Sequence, residues 1–379
     1  MNQNLKIKSL KANKIQTLDS IRFFMIFLIV MSHFDTMQNF ESTCGIYRAF
    51  RISAGMAVDY FFVLSGFGMM YSYVNKEPVL SLKPVSLVDF AIKHVKKLYR
   101  LYLILLLICI PYDILSYYDV YGNIDIRCFV NEIIKLLFCV PLLQSATGIL
   151  RLSHALNGVS WFLSSLFCIY VVSPFFLIFF GKINKFKSVI TTLALNILTL
   201  IVVRSVFYEI QDRSFFDDLV YGSPYCRFLY VSIGMLLAKV VVLLKANIAF
   251  EKQRGSYLEL LALFFVIGAF VSKIFAWPFD GVFLQYAGIL ISVITILIFS
   301  FESGFVSDFL QWGWLKVLGK MSMFLFLIHY PIQRYFILFF RFAGLHQSFK
   351  LYVCSISITL ILSFAISYIL LERYKNGMQ

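Results

Sequence analysis

Charge is what this sequence has least of. Only 14% of its 379 residues are Asp, Glu, Lys or Arg, too few to cover a water-soluble domain of that length, so a free-standing globular protein is excluded. Long polar stretches are scarce as well: the weakly hydrophobic segments, 35–54 and 119–157, are short and interrupted, and no separate soluble domain is expected. Internal repeats, low-complexity tracts and long linkers are missing. The seven cysteines form no CxxC pair and no metal-ligand spacing, and Cys109, Cys139, Cys168 and Cys354 sit inside apolar runs. They read as small buried hydrophobes, and no metal site is expected. A signal-peptide cleavage pattern is lacking too: the basic N-terminus leads into an apolar run that contains Asp19 and Arg22 and is followed by no small-residue cleavage site. That run is read as a retained first helix.

What is present is hydrophobic. Apolar residues make up 60% of the chain, with 42 phenylalanines among them, and lipid is the solvent that suits such a composition. Helix-length apolar runs fall near residues 17–35, 56–74, 98–118, 158–180, 188–207, 225–244, 256–275, 281–301, 317–340 and 350–371. They predict an all-α, polytopic transmembrane helix bundle of about ten spans. Residues 133–143 are apolar but short and contain Pro141, which suits a re-entrant or interfacial helix. With 1–16 as an N-terminal segment, 17–371 as the bundle and 372–379 as a tail, both termini are expected in the cytoplasm. On that threading, loops carrying Lys6, Lys8, Lys11 and Lys14, then Lys93, Lys96 and Lys97, gather on one side, and Glu209, Asp212, Asp217 and Asp218 on the other. The formal net charge of +14 thus reflects loops facing one side of a lipid bilayer, and no nucleic-acid partner is expected.

Ionisable groups within a span cost roughly 2.5–3.5 kcal/mol each on the insertion scale, so a cluster of them marks a candidate site. Arg22 and His33 stand eleven positions apart, which on a regular helix returns to within ~20° of the same stripe after a rise of ~16 Å. Asp19, one turn before Arg22, is placed to orient or neutralise the guanidinium. Lys93, Lys97 and Arg100 recur at spacings of four and three, giving a cationic strip able to hold phosphates, with Arg offering a fork that Lys lacks. Asp59 opens the string Asp59, Tyr60, Phe61, Phe62, followed by Ser65 and Gly66, where small residues suit close helix packing.

These strings resemble the membrane-bound acyltransferase-3 family along most of the chain. Leu18, Asp19, Ser20, Ile21 and Arg22, with Ser32 and His33, look like its first-helix pattern. Val58 through Phe67 is similar to its second-helix signature, and Lys97 with Arg100 to its paired-arginine motif with lysine in the first place. Trp161, Phe162 and Leu163, and the run from Leu318 through Ser322, Leu325, His329 and Pro331, resemble two further elements. The resemblance implies transfer of an acyl group, commonly acetyl, from acyl-coenzyme A to a hydroxyl of a cell-surface polysaccharide or glycan, in a bacterial cell membrane. It implies His33, with Arg22 and Asp59, as the catalytic group, either as general base or as transient acyl carrier. Lys93, Lys97, Arg100 and Arg22 are then expected on the phosphates of acyl-coenzyme A, which enters as donor substrate with no tightly bound cofactor. Trp161, Ser322 and His329 are expected near the acceptor, with Trp161 and Trp277 candidates for stacking on sugars. A glycan or lipid-linked sugar exporter is the competing reading, since intramembrane charge also suits a translocation path.

Overall fold

The computed structural model describes residues 14–34, 45–76, 80, 82–209, 217–275, 282–345 and 349–376. Lys6, Lys8, Lys11, Asp212 and Trp277 lie outside the described residues. Within them the chain is helical and contains no strand: α1 Gln16–Ser32, α2 Gly45–Lys76, α3 Pro84–Tyr121, α4 Ile126–Cys139, α5 Trp161–Gly181, α6 Phe186–Glu209, α7 Pro224–Lys245, α8 Lys252–Ile274, α9 Val282–Phe299, α10 Phe305–Leu310, α11 Gly313–Phe342 and α12 Phe349–Lys375. Among the described residues eight helices are long and apolar enough to cross a membrane, and the other two apolar runs correspond to α1 and α9. The chain is a multi-pass membrane protein. α2 and α3 begin well before the apolar runs at 56–74 and 98–118, because hydropathy marks only the part of a helix that suits lipid and these two continue beyond it.

Lipid tails are as apolar as leucine, so helices in a bilayer associate through close packing and polar contacts. The contact between α2 and α7 is of this kind. A Cβ on Gly66 would strike the carbonyl oxygen of Val231, and one on Gly234 would strike that of Val63. The two glycines let the backbones touch and place α2 at the centre of the bundle.

α1 is pinned by polar contacts from far along the sequence. Glu302 Oε1 accepts the amides of Gln16 (2.7 Å) and Thr17 (3.0 Å), the Thr17 hydroxyl donates to Phe299 O (2.7 Å), and the Ser20 hydroxyl donates to Leu310 O (2.5 Å). A carboxylate at a helix N-terminus meets otherwise unsatisfied N–H groups and the positive end of the dipole. Gly319 of α11 then lies against the Asp19 carbonyl with no room for a side chain.

In α11, Pro331 has no N–H to give Leu327 O four residues back. Asn157, from the segment between α4 and α5, fills that role: its Nδ2 donates to Leu327 O at 3.0 Å. Gly158 beside it packs under the Tyr330 ring.

Of the short apolar segment expected at 133–143, residues 133–139 form the second half of α4, which is too short to span, and 140–143 lie in the turn after it. Its face Ile126, Phe129, Val130, Ile133, Ile134 and Leu137 is exposed. Its opposite face turns Lys135 onto Asp113 of α3 (2.7 Å) and Glu132 (2.5 Å). An apolar outer face over a polar inner one is the pattern of a helix lying at a lipid interface.

Candidate active site

Lys97 Nζ stands 4.2 Å over the Tyr374 ring, so the start of α1 and the end of α12 meet the same stretch of α3. We call this the basic end. A cavity of about 290 Å³ opens there, lined by Lys14, Arg22, Lys97, Lys320 and His94, with Asp19 the only carboxylate in its wall among the described residues. Asp19 is buried and receives both Lys14 (2.5 Å) and Arg22 (3.1 Å). The cluster therefore keeps an excess of positive charge in a partly enclosed space, where field lines concentrate and anions collect. Lys93 and Arg100 are exposed on α3 and line neither this cavity nor its neighbour described below. The buried face of α3 runs through Ala91, Val95, Leu98 and Tyr102, which brings His94 and Lys97 to the cavity and leaves Lys93, Lys96 and Arg100 turned outward.

Phe61 and Phe162 form part of the same cavity wall. Behind them runs a chain of rings: Phe162 to Phe326 at 5.5 Å between centroids, Phe326 to His329 at 6.3 Å, and His329 to His33 at 5.1 Å. The basic cavity and the two imidazoles are thus joined by packed aromatic side chains of α2, α5 and α11, and neither described cavity has His33 in its wall.

His33 follows the last α-helical residue of α1, where the backbone tightens into a 3-10 turn. Its Nδ1 lies 2.8 Å from Ile29 O and 3.3 Å from His329 Nε2, and His329 Nδ1 lies 3.1 Å from Leu325 O. Carbonyl oxygens only accept, so one assignment satisfies all three contacts: each ring carries its proton on Nδ1, and His33 shares its N–H between Ile29 O and His329 Nε2. The lone pair of His33 is then on Nε2. Gln333 donates from Nε2 to the carbonyl of His33, and the Tyr330 ring meets the imidazole edge-on at 5.6 Å. Both histidines come from sequence elements that α1 and α11 bring side by side.

Asp59 is committed elsewhere. Arg227 of α7 donates to its Oδ1 at 2.5 Å, and Arg204 of α6 stands 3.8 Å from Oδ2. Arg227 is 1% exposed, gives its Nε to Tyr221 O (2.6 Å), and sits among the rings of Phe62, Trp161, Tyr221 and Tyr230 at 4.6–5.8 Å. Trp161 therefore packs on a guanidinium, with His154 on another side at 6.0 Å. Ser322 is fully buried and donates back to Gly319 O within its own helix at 2.8 Å. Sequence reasoning passed over Arg204 and Arg227, although an arginine inside an apolar span is itself a signal. It likewise left Lys14, His94 and Lys320 without a binding role, Lys14 being read as a topological anchor.

No curated protein and no solved structure matches the chain. A family model described as an acyltransferase domain, that of the third acyltransferase family, matches residues 15–372.

Proposed function

The chain belongs to the acyltransferase-3 family, and from that premise we propose an integral membrane O-acyltransferase that takes an acyl group, acetyl first of all, from acyl-coenzyme A to a hydroxyl of a cell-surface glycan. The observation that carries the donor is the basic cavity: Lys14, Arg22, Lys97 and Lys320 around the carboxylate of Asp19 suit the phosphates of a nucleotide thioester through charge-assisted hydrogen bonds. With the basic end in the cytoplasm, the donor enters there and the pantetheine arm points along α1. The packed rings Phe162 and Phe326 lie on its way to His33, so the thioester reaches the imidazole as these side chains move aside.

His33 Nε2 takes the proton of the acceptor hydroxyl while the oxygen bonds to the thioester carbonyl carbon. The tetrahedral intermediate expels the thiolate, the C–S bond breaks, and the proton held on His33 passes to sulfur. His329 is a positioning residue in this scheme, because its Nε2 helps hold the His33 N–H on Nδ1. Asp59 serves the bundle through Arg227 and Arg204 and takes no proton.

The test is acetyl transfer from labelled acetyl-coenzyme A by the purified protein in lipid vesicles, with release of free thiol followed in parallel. His33→Ala is expected to lower kcat by about 10²–10⁴-fold. A wild-type protein that releases no thiol from acyl-coenzyme A, while glycan crosses the vesicle membrane, would overturn the transferase in favour of an exporter.

A further inference from the structure

Acyl transfer at His33 uses the cationic side of the mouth and leaves the other side unassigned. A second cavity, of about 430 Å³, adjoins the first and shares Arg22, Leu64, Ser65, His94 and Tyr170 with it. Away from that junction the wall changes character. It continues over Gly68, Met69, Tyr73, Phe90 and Leu177 and, among the described residues, gains no further cation. A ladder of three rings runs from the junction into the second cavity: Tyr170 to His94 at 4.9 Å and His94 to Phe90 at 4.3 Å, with interplanar angles of 40° and 38°. His94 Nδ1 lies 2.8 Å from Phe90 O, which fixes the ring's orientation.

A planar heterocycle and a run of phosphates make opposite demands on a site. The phosphates need cations, and the base needs flat polarisable surface, which aromatic rings supply with little regard to sequence or base type. Here both surfaces meet at Arg22. We propose that the second cavity is the adenine subsite of the donor: the base lies against the Phe90, His94 and Tyr170 rings, and Arg22 spans to the phosphates held by Lys97 and Lys320. This rests on the acyl-coenzyme A reading and adds to it the part of the donor that the enzyme grips for recognition, remote from the thioester. Binding energy from such a remote group raises discrimination between donors that carry the same reacting bond.

One position allows the subsite to be filled without removing any contact. Gly68 lies in the wall of the second cavity, and a Cβ added there meets nothing within 4 Å. Gly68→Leu therefore projects into the space assigned to the base, and leucine is the better helix former.

The experiment compares two donors, acetyl-coenzyme A and acetyl-phosphopantetheine, which share the thioester and differ by the nucleotide. The quantity read is the ratio of their kcat/KM values in wild type, Gly68→Leu and Phe90→Leu. Partial misfolding lowers both values together and leaves the ratio in place. The ratio is expected to fall about tenfold or more in each variant, the scale of losing one base–aromatic stack. A ratio unchanged in both variants overturns the adenine assignment. Failure of the wild type to use either donor overturns the acyl-coenzyme A reading itself, a separate result.

Discussion

Replacing Lys97 by Gln removes one cation from the wall of the basic cavity and keeps most of the side chain's length. A charged group hydrogen-bonded to a phosphate is worth about 1.5–3 kcal/mol. Lys97 also has contacts of its own within the chain, however. It stands over Tyr374 at 4.2 Å and Phe324 at 5.4 Å, and giving up such contacts costs about 0.5–1 kcal/mol at an exposed site. The difference, about 1–2 kcal/mol, predicts a KM for acyl-coenzyme A raised about 5- to 30-fold. The kcat should stay near the wild-type value, since the lost interaction is the same in ground and transition states. Arg100→Gln supplies the contrast. Arg100 lies on the same helix but outside both cavity walls, so its KM should stay within about twofold of wild type, the range of a surface charge. The assay is steady-state thiol release across donor concentrations, repeated at two ionic strengths. Salt should raise the wild-type KM more than that of Lys97→Gln. An unchanged KM in Lys97→Gln, or an equal effect in Arg100→Gln, would refute the placement of the phosphates.

Asn157→Ala should lower stability by about 1–3 kcal/mol, because Leu327 O is left without the donor that Pro331 cannot provide; thermal unfolding in detergent reads the change, and wild-type stability would count against the contact. Asp59→Asn withdraws the charge between two arginines, and breaking a buried pair costs about 3–5 kcal/mol. Its yield in the membrane fraction should drop steeply, whereas protein recovered from it should keep its KM for acyl-coenzyme A. Gly234→Ala should destabilise by about 1–3 kcal/mol by forcing α7 off α2, and an unfolding temperature equal to wild type would show that the helices yield without strain.

Much of the scaffold is legible in the amino-acid sequence. Apolar runs locate the long helices, since period and hydropathy act within a single segment. The pairing of Asp19 with Arg22 and the packing role of Gly66 follow from spacing and residue size alone. What escapes is everything set by contacts between segments. His33 meets His329 across 296 positions, and nothing local in either helix announces the other. The ion pairs of Asp59 are hidden in the same way, because its partners, Arg204 and Arg227, lie on helices far along the chain. The α3 strip shows a subtler loss. Spacing groups Lys93, Lys97 and Arg100, but only packing decides that Lys97 and His94 line the basic cavity and His94 and Phe90 its neighbour.

α4 bears on how the protein reads its surroundings. An amphipathic rod with its greasy side outward and its ionic side clasped to Asp113, the pattern of an interfacial helix, is tied to one long helix. A thinner or thicker bilayer would then tug on α3, the helix that also presents His94 and Lys97 at the opposite end. One continuous helix thereby links the amphipathic α4 to the basic cavity.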